Sequence, residues 1–183
     1  MRSEHTLNTL RAYAPTDPSE LEHRDRMVAL LTTSGDAAFD RTHWTPGHFT
    51  ASAFVLSPGG DSVLLIHHGK LDRWLQPGGH IETEDSSAFD AALREVEEEV
   101  GVSPTSLSSD RSLFDVDIHP IPARGADPGH EHFDLRFLFR ATSDRFDAGD
   151  EVKDARWWDL KALASHAEDP SVARAVRKLV KRD

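Results

Sequence analysis

The chain has 183 residues, with 21 Lys and Arg against 32 Asp and Glu, a formal charge of −11. That length builds one domain with an ordinary core, or one domain and a short extension, and the acidic balance argues against a nucleic-acid binder, which needs a basic footprint on phosphates. The absence of cysteine removes disulfide scaffolds, Cys-ligated zinc, iron–sulfur clusters and thiol nucleophiles together. Met1 to His5 leads into no apolar run, so no signal peptide is expected. Val63 to Ile66, the longest aliphatic stretch, is far too short to span a bilayer, and a cytoplasmic protein is expected.

In chain order, Pro15 to Pro18 breaks the chain, and Ser19-x-x-Glu22 predicts a capping box for a helix to about Leu31. After a Gly/Pro-bearing connection, Gly35 to Gly47, the texture changes to strands. Ala51 to Leu56 and Val63 to His67 flank Ser57-Pro58-Gly59-Gly60-Asp61, which reads as a hairpin. Trp74-Leu75 runs into Pro77-Gly78-Gly79, and Ser87 to Val100 has helical periodicity ended by Gly101. Leu113 to Ile118 and Phe133 to Phe139 read as strands around a Pro/Gly loop, Pro120 to Gly129. The second strand puts Phe133, Leu135, Phe137 and Phe139 on one face, opposite Asp134, Arg136 and Arg140. Ala155 to Trp158 is a last strand, and Leu160 to Ala164 and Ser171 to Val180 read as helices. The closing helix carries Arg174, Arg177, Lys178, Lys181 and Arg182, read as a solvated face favoured by the helix dipole. The irregular alternation predicts an α/β fold, a mixed sheet covered by helices with an N-terminal helical extension. The boundary falls between residues 1–47 and a domain over 48–183.

One helix breaks a local rule. At about 100° per residue, Phe89, Ala92, Leu93, Val96 and Val100 share an apolar stripe, while Glu95, Glu98 and Glu99 share another sector and Glu97 projects away. Glu95 and Glu99 form a like-charge i,i+4 pair near the helix C-terminus, where the dipole disfavours anions. Local stability gains nothing from this, and such violations mark functional sites. Three clustered carboxylates make a hard-oxygen set suited to Mg²⁺ or Mn²⁺.

These residues resemble the Nudix box, written G-x5-E-x7-R-E-U-x-E-E-x-G-U, with U a bulky aliphatic. Arg94, Glu95, Val96, Glu98, Glu99, Gly101 and Val102 occupy its second half. In the first half, Asp85 stands six residues after Gly79 in place of glutamate, with eight residues rather than seven before Arg94. The early glutamate's role falls to Asp85, Glu84 or Glu82, and Ser87 with Asp90 can cap the helix after the insertion. The Trp74 to His80 segment and Glu151…Arg156-Trp157 extend the likeness over about Phe49 to Leu163.

The resemblance implies a Nudix-type mixed sheet sandwiched between helices. It also implies hydrolysis of a nucleoside diphosphate linked to another moiety. Glu95, Glu98 and Glu99 are the expected metal ligands, with the Gly79 carbonyl and, from outside the box, Glu151. Glu131 competes with Glu151 for that outer place. Glu98 is the favoured base, with Glu95 and Arg94 completing the catalytic set; Arg94 orients a carboxylate one turn away. A divalent metal is needed because a diphosphate is repelled by a chain carrying −11. His130, Glu131 and His132, at the exit of the long loop, and His68 are expected to meet substrate.

Two rival readings stand beside this one. His130, His132 and Asp134 alternate on one strand face at ligand-like spacing, which would suit a zinc hydrolase, although no HExxH occurs and only His166 follows. A non-catalytic Nudix-fold nucleotide-binding module is the other. The expected partner is a small nucleoside diphosphate derivative, with no membrane or nucleic acid and a homodimer left open.

Overall fold

The computed structural model describes residues 1–69, 72–150 and 152–181. Two helices lead, α1 (Arg2–Ala12) and α2 (Pro18–Ser34). The strands follow as β1 (Gly47–Leu56), β2 (Ser62–His68), β3 (Arg73–Leu75) and β4 (Gly78–His80), then helix α3 (Ala88–Val100). After it come β5 (Leu107–Ser108), β6 (Leu113–Ile121), β7 (His130–Ala141), β8 (Val152–Asp159), α4 (Leu160–His166) and α5 (Pro170–Val180). Hydrogen-bonded neighbours give the order β3-β2-β1-β7-β5, with β4 on β1, β6 on β7 and β8 on β2, a mixed α/β arrangement.

The chain divides into two units, and β1, β7 and α3 contribute residues to both. The first unit holds Met1–Ser52, Gly79–Ala91 and Ser112–Phe137. Its α1 is an addition to the sequence expectation. This helix is polar, buries only Thr6 and Leu10, and is held by distant partners, such as the Ser3 N–H on Asp36 at 2.8 Å. Helix α2 starts one residue before the expected cap, because Asp17 rather than Ser19 closes it. The Asp17 carboxylate accepts from the Ser19 N–H at 2.9 Å and the Ser19 hydroxyl at 2.6 Å, and Pro18 takes the first helical position, where its missing N–H costs nothing. Met27, Leu30 and Leu31 are buried along α2, which packs on β6. The His23 Nδ1 accepts from the Ile118 N–H of that strand at 3.2 Å.

Strands β6 and β7 pair antiparallel from Leu113↔Phe137 to Ile121↔His130, so both run further into the expected loop, and an Arg124↔Asp127 bridge closes the remaining turn. The apolar face of β7 is buried as read, and on the opposite face Arg140 is exposed while Asp134 and Arg136 are buried. Asp134 and Arg136 are 3% and 2% exposed. The Arg136 guanidinium donates to Asp134 at 2.9 Å, Asp115 at 3.3 Å and Asp117 at 3.2 Å. Burial by itself would lower that guanidinium's pKa, yet the three carboxylates outweigh it and raise it.

The second unit holds Ala53–Gly78, Ala92–Arg111 and Leu138–Asp183. The β1–β2 hairpin has Val55 opposite Leu64, and β2 also pairs with β3 and β8. Asp159 caps α4 and Asp169 caps α5, whose first residue is Pro170. In α5, Arg177 is exposed, as is Lys181 just after it, but Arg174 is buried, correcting the reading of a fully solvated basic face; Arg182 lies outside the described residues. Among the described residues, no helix is long and apolar enough to cross a membrane.

Candidate active site

Helix α3 carries the glutamates because three local devices fix it. Ser87 and Asp90 form the cap read from sequence: the Asp90 N–H donates to the Ser87 Oγ at 3.2 Å, and that hydroxyl donates to the Asp90 carboxylate at 2.8 Å. Ala92, Val96 and Val100 are fully buried, which turns the other sector outward. Gly101, at φ +62°, sends its N–H to the Glu97 carbonyl at 3.0 Å and ends the helix in a conformation that a side chain would strain.

The carboxylates are positioned by donors from two directions. Arg94 Nη1 donates to Glu95 at 2.9 Å and to Glu98 at 3.0 Å, so one guanidinium nitrogen draws both carboxylates together. Glu99 Oε2 accepts the Gly78 N–H at 2.9 Å, which ties the helix to the residue preceding Gly79. The side chains of Glu95 and Glu98 are 13% and 58% exposed, so Glu98 is the more open to water and ligands. An all-oxygen donor set, already gathered about a cation of the protein's own, suits a hard divalent ion.

The loop 146–150 is tied to the end of α3. The Asp147 N–H donates to the Val100 carbonyl at 2.8 Å, and the Gly149 N–H to the Glu99 carbonyl at 2.9 Å. A Cβ on Gly149 would stand 2.4 Å from the Glu98 carbonyl oxygen, so only glycine fits this approach. The expectation for Glu151, two residues on, falls outside the described residues.

Of the three candidates for the early glutamate, Asp85 is buried and its carboxylate accepts the Glu82 N–H at 2.8 Å, closing its own loop, while Glu82 and Glu84 are exposed. Arg2 adds hydrogen bonds to the carbonyls of Glu82, Thr83 and Asp85. The segment leading to the α3 cap is therefore held by α1.

On β2 and β3, Trp74 stacks on His67 at 5.2 Å between centroids, and the Arg156 guanidinium lies 4.4 Å from the Trp74 ring centre. His68, beside them, is half-buried. In the first unit, Glu131 forms an ion pair with Arg26 of α2.

His130 and His132 do come together, but their third neighbour is His48 of β1. One ring nitrogen from each lies within 4.8 Å of the others. Asp134, the third member expected from strand spacing, accepts from Arg136, from Thr50 at 3.1 Å and from Ser52 at 2.7 Å instead. His48, Thr50 and Ser52 alternate along β1 as His130, His132 and Asp134 do along β7. That matched pair of polar faces was the available signal for His48. Burial, and then the neighbouring His80 and His130, push the His48 imidazole down to about 4; the His43 backbone pulls the other way without reaching hydrogen-bond geometry. Burial and the surrounding histidines push His132 down to about 2.

The NUDIX domain model matches residues 46–179. The fold is similar to that of the E. coli dihydroneopterin triphosphate pyrophosphohydrolase, with TM-score 0.60, 21% identity, and 74% of this chain and 96% of that one covered. A NUDIX family hydrolase from Clostridium perfringens gives TM-score 0.55 and 24% identity over 79% and 99% of the two chains. The NUDIX domain of Shewanella oneidensis NrtR, in complex with ADP ribose, gives 0.52 and 19% over 84% and 96%. No curated protein matches the chain.

Proposed function

Because the chain belongs to the Nudix family, we propose that it is a Mg²⁺- or Mn²⁺-dependent pyrophosphohydrolase acting on a nucleoside diphosphate linked to another moiety. The observation that carries this reading is the shared guanidinium of Arg94, which gathers Glu95 and Glu98 one turn from a Glu99 fixed by Gly78. In an otherwise structural helix, repulsion would favour spreading these acids apart.

Glu95, Glu98 and Glu99 would hold the cation, with the Gly79 carbonyl as a further oxygen donor. When bound, the ion neutralises diphosphate charge and makes water more acidic. Glu98 takes the proton of the attacking water on its carboxylate. The water oxygen bonds to phosphorus and the bridging P–O bond breaks, its electron pair leaving on the bridging oxygen, to give a phosphate monoester and a second phosphorylated product. Arg94 keeps Glu95 and Glu98 on one side of the helix and touches no reacting atom. His68 is a substrate contact we assign, on its place in β2 next to the His67–Trp74 stack. Glu151 stays the acid assigned to a second ion, on its six-residue distance from Trp157.

The NUDIX domain complexed with ADP ribose favours one second reading, a nucleotide-binding module without turnover. A panel of nucleoside diphosphate derivatives, ADP ribose included, separates the two. Metal-dependent release of phosphorylated products supports the hydrolase. Tight binding with no product under either Mg²⁺ or Mn²⁺ transfers the assignment to the module.

A further inference from the structure

We infer that His48, His130 and His132 form a second metal centre, selective for a zinc-type divalent ion and built independently of the glutamate helix. The three residues lie on β1 and β7 within the first unit.

His48 is fully buried, and neither of its ring nitrogens has a hydrogen-bond partner. A buried imidazole ordinarily satisfies at least one nitrogen, because losing water without replacement is unfavourable. The group its nitrogens face is the trio itself, with the His48 ring 4.9 Å from each of His130 and His132 between centroids. His130 is prepared in the manner of a metal-bound histidine. Its Nδ1 donates to the Pro128 carbonyl at 2.9 Å, which leaves the Nε2 lone pair for a ligand.

The donor chemistry chooses the ion. Three imidazole nitrogens suit Zn²⁺ and its neighbours, whereas Mg²⁺ and Mn²⁺ prefer oxygen. Zinc–nitrogen bonds of about 2.0–2.1 Å put tetrahedral ligand atoms about 3.3 Å apart. Nitrogens already within 4.8 Å therefore need only ring rotations of modest size. His80, 5.1 Å from His48 and 5.5 Å from His132 between centroids, stands nearest for a fourth place, which water fills otherwise. Such an ion would pin β1 to β7.

The test uses the full chain, stripped with chelator and titrated with Zn²⁺ by calorimetry and with Co²⁺ by visible absorption, both in millimolar Mg²⁺. One ion per chain should bind, with the visible bands of nitrogen-ligated tetrahedral Co²⁺ and a raised melting temperature on adding Zn²⁺. His48→Ala and His130→Ala should each weaken binding about 100-fold or more. Glu98→Gln should leave it unchanged. If His48→Ala fails to fold, the comparison rests on His130→Ala, whose ring lies nearer the surface. Wild-type protein giving no Co²⁺ bands would overturn the inference and leave a stack of neutral imidazoles. Binding lost in Glu98→Gln but kept in His130→Ala would overturn it too, by moving the ion to the glutamates.

Discussion

Replacing Arg136 by methionine tests what holds the polar half of the first unit together. Arg136 is 2% exposed, and the three aspartates around it, Asp115, Asp117 and Asp134, are between 0% and 3% exposed. Methionine nearly fills the space but leaves three carboxylates without their cation. Asp134 keeps hydroxyl donors from Thr50 and Ser52, and His119 and His23 flank Asp117. Breaking a buried ion pair from one side costs about 3–5 kcal/mol. That is a large share of a total stability of roughly 5–15 kcal/mol. At about 2–4 °C per kcal/mol for a chain of this size, the melting temperature should fall by roughly 6–20 °C. Urea unfolding followed by circular dichroism gives the free energy directly, and adding Asp117→Asn should restore part of the loss. The folded-state pKa of Arg136 is raised, so its stabilisation is complete below the unfolded-state value and fades only in strong alkali. The gap between wild type and variant should therefore stay level from about pH 6 to about pH 9. An Arg136→Met protein within about 1 kcal/mol of wild type would refute the reasoning, since no buried charge could then depend on this guanidinium.

Other expectations follow from the same geometry. Glu98→Gln should lower turnover by about 10²–10⁴-fold in a product-release assay with little change in melting temperature, whereas Glu97→Gln should be nearly silent; equal losses would refute the helical-face assignment. Chelator should abolish activity and leave the far-ultraviolet circular dichroism intact, because buried Ala92, Val96 and Val100 anchor α3 without an ion. Gly149→Ala forces a Cβ against the Glu98 carbonyl and should destabilise by about 1–3 kcal/mol in chemical unfolding; a variant as stable as wild type would show that the loop can lift off the helix end. Ser87→Ala removes the α3 cap and should cost about 1 kcal/mol by the same measurement.

What the sequence made legible was what local chemistry decides. The 88–100 helix, its Ser87 and Asp90 cap and its Gly101 stop depend on residues within a few positions of one another, and periodicity with capping rules finds them. The Arg94 bridge to Glu98 is an i,i+4 contact and was legible for the same reason. Failures came where distant segments meet. Helix α1 is too polar to announce itself, and its anchors, Asp36 and the 82–85 loop, lie far along the chain. Nothing local in β7 announces the burial of Arg136, whose partners Asp115 and Asp117 come from β6. His48 looks like an ordinary strand residue until β7 sets His130 and His132 beside it. What holds the 146–150 loop is hidden in the sequence because its hydrogen-bond acceptors are the end of a helix some 50 residues earlier.

The helix lying along β6 has a consequence for how the protein survives at high concentration. Among the described residues, β6 has β7 as its strand partner and α2 on it, with a histidine nitrogen receiving the Ile118 N–H. A nine-residue strand whose outer hydrogen-bonding groups faced water would be a template for strands of other molecules, and so a seed for aggregation. Helix α2 works as a guard rail on that strand. A shortened version starting near Gly47 could retain every glutamate of α3 and still precipitate, and a partially unfolded chain that has released only its leading helices would be the species most prone to self-association.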